Sequence, residues 1–266
     1  MSSVAARQQR PALIRWPLRI GLTGLLTATC ALFAPVLSAA SLQVAPILLE
    51  FPADEQAQGL WLSNTGQAPI RAQVRVMQWS QTDGSDQLTP TRELLASPPI
   101  LEIAPGQRQL VRIIRPQPQA PGSELSYRLL VDELPDAEAE SNGGLQFLLR
   151  YSVPVFVLQP GRTPAIAAIG PHQPYDTSPL SARIADGTLE VANGGNTRAR
   201  ISQLSYVNRD GSRVSLVPGL VGYVLAGQRM QWPLELPDTV RPGGAFKAMF
   251  NNDREEQILP LPETTP

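Results

Sequence analysis

Short runs of alternating apolar and polar residues, separated by turn-forming residues, follow one another along most of the chain. Leu60-Trp61-Leu62 runs into the turn residues 64–66, and residues 72–76 alternate before Asp83-Gly84; similar runs cover residues 110–114, 127–131 and 145–157. A period of two is typical of strands with one buried face. No stretch of a dozen residues has a convincing helical period, and 27 prolines punctuate the runs, as expected at strand ends and edges. The pattern predicts an all-β sandwich fold.

The second half of the chain repeats the first half in the same order. The matching segments are Leu60-x-Leu62-x-Asn64-x-Gly66 with Leu189-x-Val191-x-Asn193-x-Gly195, Asp83-Gly84 with Asp210-Gly211, and Gly106-Gln107-Arg108 with Gly227-Gln228-Arg229. Three short matches in register predict two copies of one sandwich. The Pro- and Gly-containing residues 159–164 are the predicted boundary. We therefore expect one domain over residues 41–159 and another over residues 163–262.

The first forty residues predict a secretory signal peptide that is cut after Ala40. They contain no acidic residue, an uncharged apolar run over residues 20–37, small residues at 38–40, and four basic residues, Arg7, Arg10, Arg15 and Arg19. The alternative is an uncleaved membrane anchor, because about 20 apolar residues span a bilayer. Pro35 and the alanine-rich end of the run favour cleavage. A lipoprotein is rejected because Thr29 precedes Cys30 and the apolar run continues beyond it.

Composition excludes several classes of function for the chain that follows the leader. Without residues 1–40 it holds 18 basic residues against 23 acidic ones, a balance that does not favour nucleic acid or anionic lipid. Cys30 lies in the leader, so the remaining chain has no disulfide. The single histidine, His172, lies in a proline-rich loop, which excludes common zinc sites and a Cys–His nucleophile pair. With no nucleotide-binding or hydrolase motif either, we predict neither an enzyme nor a cofactor.

Three segments carry a resemblance to a known family: residues 106–113, residues 124–135, and Tyr151-Ser152-Val153-Pro154-Val155-Phe156-Val157. Together they resemble the periplasmic chaperones of chaperone/usher pilus assembly, and the last segment resembles the archaic branch of that family. The resemblance covers nearly all of residues 41–262. It implies two immunoglobulin-like β-sandwiches arranged as a boomerang. It also implies a periplasmic location, with pilus subunits and an outer-membrane usher as partners and no nucleic acid or small-molecule substrate.

The resemblance implies a donor strand near the end of the first domain. Chaperones of this family insert part of one strand into the groove of a pilus subunit that lacks its own last strand, which is a form of β-strand addition. Here the donor residues would be Leu145, Phe147 and Leu149, after the acidic, Gly-rich loop over residues 136–144. These three residues share one face of a strand. The alternative is that this face lines the core of the protein itself, and the parity of donation stays open.

The resemblance also implies a basic anchor for the subunit's C-terminal carboxylate. In the better-known branch one basic residue lies on the first strand and one on the donor strand, but the first strand here has the apolar Ile47. Arg150, just after the donor residues, and Arg128, on the preceding strand, are the candidates. Each would otherwise be an ordinary surface arginine. A family-like interdomain ion network would join Arg112 and Glu124 to an acid of the second domain, for which Asp253 is the best positional match.

Two other classes of exported β-sandwich protein compete with the chaperone reading. A structural or adhesive pilus subunit would have one incomplete sandwich, whereas this chain is predicted to hold two complete ones. A carbohydrate-binding module or a sandwich-fold hydrolase would need clustered surface aromatics or paired carboxylates, and Trp61, Trp79 and Trp232 are scattered along the sequence.

Overall fold

The computed structural model describes residues 42–135, 147–165 and 174–261, and all regular structure in these ranges is β-strand. None of the described residues form a helix of the length and apolarity that a membrane span needs. The strands are β1 (Leu42–Ala45), β2 (Leu49–Phe51), β3 (Ala57–Asn64), β4 (Ile70–Thr82), β5 (Ser85–Pro90), β6 (Leu95–Ser97), β7 (Ile100–Ile103), β8 (Arg108–Ile114), β9 (Leu125–Leu134), β10 (Arg150–Val157), β11 (Leu180–Ala185), β12 (Thr188–Asn193), β13 (Ala199–Val207), β14 (Arg213–Val224), β15 (Arg229–Pro233), β16 (Ala245–Phe250) and β17 (Gln257–Ile258).

The first ten strands form a sandwich of two sheets. One sheet has the order β1-β3-β8-β6, and the other has the order β2-β10-β9-β4-β5 with β7 also paired to β4. Alternate residues of each strand fill the space between the sheets: Leu60 and Leu62 of β3 and Val111 and Ile113 of β8 are fully buried. This alternation is the physical reason why the sequence pattern predicts strands with one face in the core. We call this sandwich the first domain.

The remaining strands form a second sandwich, the second domain. Its sheets have the orders β11-β12-β15 and β14-β13-β16-β17, and its core includes Leu189, Ile201, Leu204 and Phe250. The prediction of an all-β chain with two sandwiches is therefore confirmed. The leader over residues 1–40, the acidic loop, Leu145 and His172 lie outside the described residues, and the domain limits at 159 and 163 stay predictions.

A buried asparagine closes one end of the first domain. The side-chain amide of Asn64 donates to the carbonyls of Ala68 and Ile103, at 2.8 and 2.9 Å, and its oxygen accepts the amide of Gly66 at 2.8 Å. Gly106, at φ +69°, donates its amide to the backbone carbonyl of Asn64. The asparagine thus connects two turns that would otherwise present unpaired carbonyls to the interior.

The second domain has the same arrangement at the repeated positions. Asn193 donates to the carbonyls of Thr197 and Val224, at 2.8 and 3.1 Å, and accepts the amide of Gly195 at 2.9 Å. Gly227, at φ +67°, occupies the position of the glycine that closes the first-domain turn. The repeat that is visible in the sequence therefore corresponds to one hydrogen-bonded corner built twice.

We predict that Asn64→Ala destabilises the first domain, because it leaves two carbonyls without their donors. Each unsatisfied buried group is costly, so the free energy of unfolding should fall by about 2–4 kcal/mol. Urea unfolding measures this loss. The exposed Gln43→Ala in β1 is the control and should change the free energy of unfolding by less than about 0.5 kcal/mol. Equal effects of the two substitutions would contradict the role of Asn64.

Candidate functional site

One edge of β10 is open in the first domain. On one side β10 pairs with β9 along its whole length, from Arg150 to Val157. On the other side it pairs with β2 in parallel, but only over residues 155–157. Among the described residues no strand pairs with residues 150–154 on that second side. An unpaired edge of this kind is a ready template for a strand from another chain.

Large apolar side chains stand beside this open edge. Phe147, which precedes β10, is 81% exposed and its neighbour Leu148 is 44% exposed. Ile47, in the segment that joins β1 to β2, is 77% exposed. An exposed phenylalanine is unusual on a protein surface, and exposed apolar residues next to an open strand edge are typical of an interaction site.

The predicted donor residues differ in their surroundings. Leu149 is half-buried and packs against the core of the first domain, and it exchanges hydrogen bonds with Glu133. In β10 the core face continues through Tyr151 and Val153. Phe147 is an even number of residues from Tyr151 and Val153, so alternation would place it on the same face. Its side chain is nevertheless exposed and does not line the core. Leu145 lies outside the described residues.

Arg150 lies at the start of β10 and forms an ion pair with Asp132 of β9. The same carboxylate binds Arg75 of β4 at 2.7 Å. Burial alone would raise the pKa of Asp132, but hydrogen bonds from the two arginines lower it below its usual value. Arg150 is therefore not a free cation in this structure: it shares one counter-ion with a second arginine.

Arg128, in the middle of β9, has a different environment. Its guanidinium lies 3.7 Å from the centre of the Trp79 ring, and no hydrogen bond or ion pair of the described residues includes it. Burial lowers the pKa of Arg128. Asp86 attracts Arg128 electrostatically and acts against this shift, but its carboxylate accepts hydrogen bonds from Trp79 and Gln81 and forms no ion pair with the arginine. A stacked guanidinium keeps its in-plane N–H groups available for an anion.

The structure does not bring Arg128 and Arg150 together. Arg128 is paired with Pro154 across the β9–β10 ladder, and Arg150 is paired with Asp132, four residues away along each strand. At about 3.3 Å per residue this offset corresponds to about 13 Å between the backbone positions. Both side chains belong to the outer face of the sheet, because the intervening residues Leu129 and Val131 point into the core.

The outer face near Arg128 meets the second domain through an apolar cluster. Trp79, Phe156 and Leu158 of the first domain are buried with Leu225 of the second domain, and Leu48 and Tyr223 pack against them. The centre of the Tyr223 ring lies 5.4 Å from that of Trp79 and 6.0 Å from that of Phe156. This aromatic contact is well within the range of favourable ring pairs.

A buried ion network also joins the two domains. Arg198, which precedes β13, binds Glu124 at 2.6 Å and forms a second ion pair with Glu50 of β2. Its guanidinium lies 3.7 Å from the centre of the Phe156 ring. The other oxygen of Glu50 accepts the amide of Ala165 at 2.6 Å. Burial raises the pKa of Glu124, although Arg198 acts in the opposite direction.

The sequence analysis expected Glu124 to meet Arg112 and Asp253, whereas its ion pair in this structure is with Arg198. Arg112 is exposed on β8, because Val111 and Ile113 point into the core and the alternation directs Arg112 outward. Asp253 accepts hydrogen bonds from the Tyr175 amide, at 3.0 Å, and from the Gln257 side chain, at 2.7 Å. The arginine that reaches Glu124 is Arg198. It follows the repeated Asn-x-Gly turn of the second domain, which was the only signal near it in the sequence.

Comparison with known proteins gives one family match. Residues 41–162 match the family described as pili and flagellar-assembly chaperone, PapD N-terminal domain. A comparison with curated protein sequences found no match.

Several solved structures share the fold. The chain is 24% identical to a structure of the CsuC–CsuE chaperone–tip adhesion subunit pre-assembly complex of Acinetobacter baumannii, with a TM-score of 0.62 over 84% of this chain and 98% of that one. It is 17% identical to the Pseudomonas aeruginosa CupB2 chaperone, with a TM-score of 0.56 over 82% and 100% of the two chains. The E. coli chaperone DraB gives 16% identity and a TM-score of 0.54 over 82% and 96%. The prediction of two immunoglobulin-like sandwiches is confirmed.

We predict that Arg198→Ala destabilises the protein strongly at pH 7 and less at low pH. Glu50 and Glu124 would remain buried without their cation, which should lower the free energy of unfolding by about 3–5 kcal/mol. A buried carboxyl without its cation has a raised pKa in the folded state, so it keeps a proton that the unfolded state has already released. The loss of stability therefore grows as the pH rises above the usual pKa of glutamate. It disappears at pH values below that pKa, where both states are protonated. Urea unfolding at pH 4 and pH 7 measures the difference.

Arg183→Ala is the matched control for this prediction, since Arg183 forms an exposed pair with Glu190 at 3.3 Å. Exposed pairs contribute roughly 0–1 kcal/mol, so this variant should unfold almost like the wild type at both pH values. If Arg198→Ala lost the same stability at pH 4 and pH 7, the two carboxylates would not be the cause of the loss.

Proposed function

From the match of residues 41–162 to the pili and flagellar-assembly chaperone family, we propose that this chain captures pilus subunits by strand addition at β10 and delivers them to an outer-membrane usher. The solved structures of similar fold include chaperones in complex with a tip adhesion subunit and with the SafA pilin. Subunits of that class are the partners that we propose for this chain.

The open edge of β10 supports this proposal most directly. Residues 150–154 present backbone N–H and C=O groups without a partner strand among the described residues, next to the exposed Phe147 and Leu148. A subunit that lacks a strand needs both features: backbone groups that complete its sheet, and apolar side chains that fill its groove. Main-chain hydrogen bonds would then supply affinity, and alternate side chains would fix the register.

Within this proposal Phe147 and Leu149, with Leu145 before them, are the donor residues. The exposure of Phe147 favours donation over the alternative in which this face lines the protein's own core. Leu149 lies at the junction, where the donor segment enters the core of the first domain. One strand would then run from the core of the chaperone into the groove of the subunit.

Arg128 is the carboxylate anchor that we favour. Its guanidinium is stacked on Trp79 and has no counter-ion in contact among the described residues, so a bound carboxylate would supply one. Arg150 is already neutralised by Asp132, and a carboxylate would have to compete for it. We propose that Arg150 instead orients the start of the donor strand. Glu124 would hold the cleft between the domains, together with Arg198.

The remaining parts of the proposal concern location and chemistry. A leader over residues 1–40 that is cleaved after Ala40 would carry the chain into the periplasm. Among the described residues no cluster of three His, Cys, Asp or Glu side chains could hold a metal ion. We propose a non-enzymatic chaperone that uses neither metal nor nucleotide. Two sandwiches disfavour the alternative of a pilus subunit, which has one incomplete sandwich.

We predict that Phe147→Asp abolishes capture of the subunit and leaves the fold intact. A carboxylate in the subunit's groove would be buried without a partner, which is costly. Because Phe147 is exposed in the free chain, its own domain loses no packing. The measurements are the thermal melt of the purified variant and the amount of subunit that co-purifies from the periplasm.

Leu220→Asp is the matched control, because Leu220 is a 52% exposed apolar residue of the second domain. It should retain the subunit at the wild-type level. An unfolded Phe147→Asp variant would show that Phe147 belongs to the core. A normal melt with full subunit retention would eliminate donation through this face.

We also predict that Arg128→Ala weakens subunit binding more than Arg150→Ala does. Loss of a hydrogen bond to a charged group should cost about 1.5–3 kcal/mol for Arg128. Arg150 shares an exposed ion pair, so its removal should cost about 1 kcal/mol or less. Affinity for the co-purified subunit, measured with each variant at low and high salt, separates the two. The reverse order would make Arg150 the anchor.

A further inference from the structure

One wall of the Arg128 site comes from the second domain. The guanidinium carbon of Arg128 lies 3.7 Å from the centre of the Trp79 ring and 5.6 Å from the centre of the Tyr223 ring. Trp79 and Arg128 belong to the first domain, whereas Tyr223 lies near the end of β14. The guanidinium of Arg128 therefore lies between the outer face of a first-domain sheet and the second domain.

Tyr223 is held in this corner by a buried side chain of the first domain. Gln81, only 4% exposed, donates its amide to the carbonyl of Tyr223 at 2.8 Å and accepts the amide of Leu225 at 2.9 Å. The same Gln81 amide donates to Asp86 at 2.9 Å. These bonds fix the backbone on both sides of Val224. The Tyr223 ring is therefore positioned by the first domain, although it belongs to the second.

The hydroxyl group of Tyr223 has no hydrogen-bond partner among the described residues. The other tyrosines of the second domain differ: the Tyr206 hydroxyl donates to the Arg241 carbonyl at 2.6 Å, and the Tyr175 hydroxyl is hydrogen-bonded to Thr197. Among the described residues no buried side-chain oxygen lacks a partner, so the Tyr223 hydroxyl is open to solvent and accessible to a ligand. The Tyr223 ring therefore stands beside a guanidinium that is attracted by Asp86 but forms no ion pair among the described residues.

We infer that the Tyr223 hydroxyl donates a second hydrogen bond to the carboxylate that Arg128 binds, so that the anchor site is completed by the second domain. The inference rests on the proposed function and specifies its site. A carboxylate has two oxygens, and two donors fix its orientation better than one. Neither β1 nor the segment that follows it supplies a cation for this purpose, since residues 42–49 contain no basic residue.

This assignment makes subunit binding sensitive to the contact between the domains. The first domain provides the open strand edge and the cation, and the second domain provides the second donor. A subunit bound at both points would hold Tyr223 against Trp79 and Phe156, and a change in the domain contact would withdraw one of the two donors. The register of strand addition is then set across the interdomain corner rather than within one domain.

The test compares the rate at which subunit is released from wild type and Tyr223→Phe. The probe is the subunit that co-purifies with the wild-type chain, made once with its own C-terminus and once with three added glycines, which move the carboxylate away. Release is followed as transfer of the subunit to an excess of differently tagged wild-type chain. Tyr223→Phe should release the native subunit about tenfold faster, the equivalent of one hydrogen bond to a charged group. It should release the extended subunit at the wild-type rate.

Two controls make the result specific. Tyr175→Phe removes a hydroxyl from the same domain and should leave release unchanged, and thermal melts should show that Tyr223→Phe is folded like the wild type. In an Arg128→Ala background, Tyr223→Phe should add little, because residues that bind one group are not additive. Equal release by wild type and Tyr223→Phe would overturn the inference while leaving the proposed function standing. A wild-type chain that retains no subunit would overturn both.

Discussion

Within the part of the chain that the structure describes, β10 is paired on both sides only at its end, where β2 lies against residues 155–157, and the preceding residues are paired on one side alone. This asymmetry leaves the open edge at which we propose strand addition. Exposed edges promote aggregation unless they are short or charged. Arg150 at the start of the edge, tied through Asp132 to Arg75, supplies that charge without leaving a free cation.

The end of β10 that pairs with β2 also contacts the second domain. Glu50 of β2 is bound by Arg198, and Phe156, which is paired with Glu50, lies under the same guanidinium. Because these charges are buried, the network contributes more to the geometry of the contact than to net stability. The second domain is thus a structural partner of the edge, as well as the source of Tyr223 near Arg128.

The Asn64 and Asn193 corners have the same side-chain hydrogen bonds but different neighbours in the two domains. In the first domain the corner closes a sandwich that carries the open edge. In the second domain the matching turn is followed directly by Arg198, and the Asn193 side chain is bonded to Val224, next to Tyr223. The repeated element therefore positions residues that reach across to the first domain.

The sequence by itself determined the features that depend on local alternation and turn chemistry. The period-two pattern predicted the strands, and the three matched segments predicted two copies of one sandwich. The resemblance implied the donor residues Leu145, Phe147 and Leu149 and the candidate anchors Arg128 and Arg150. Alternation tells which residues share a face, but it does not tell which side chain of a distant strand lies opposite. Only the three-dimensional fold showed that Arg198 contacts Glu124, that Arg150 pairs with Asp132, and that Tyr223 lies beside Arg128, because each of these contacts joins residues from different segments of the chain.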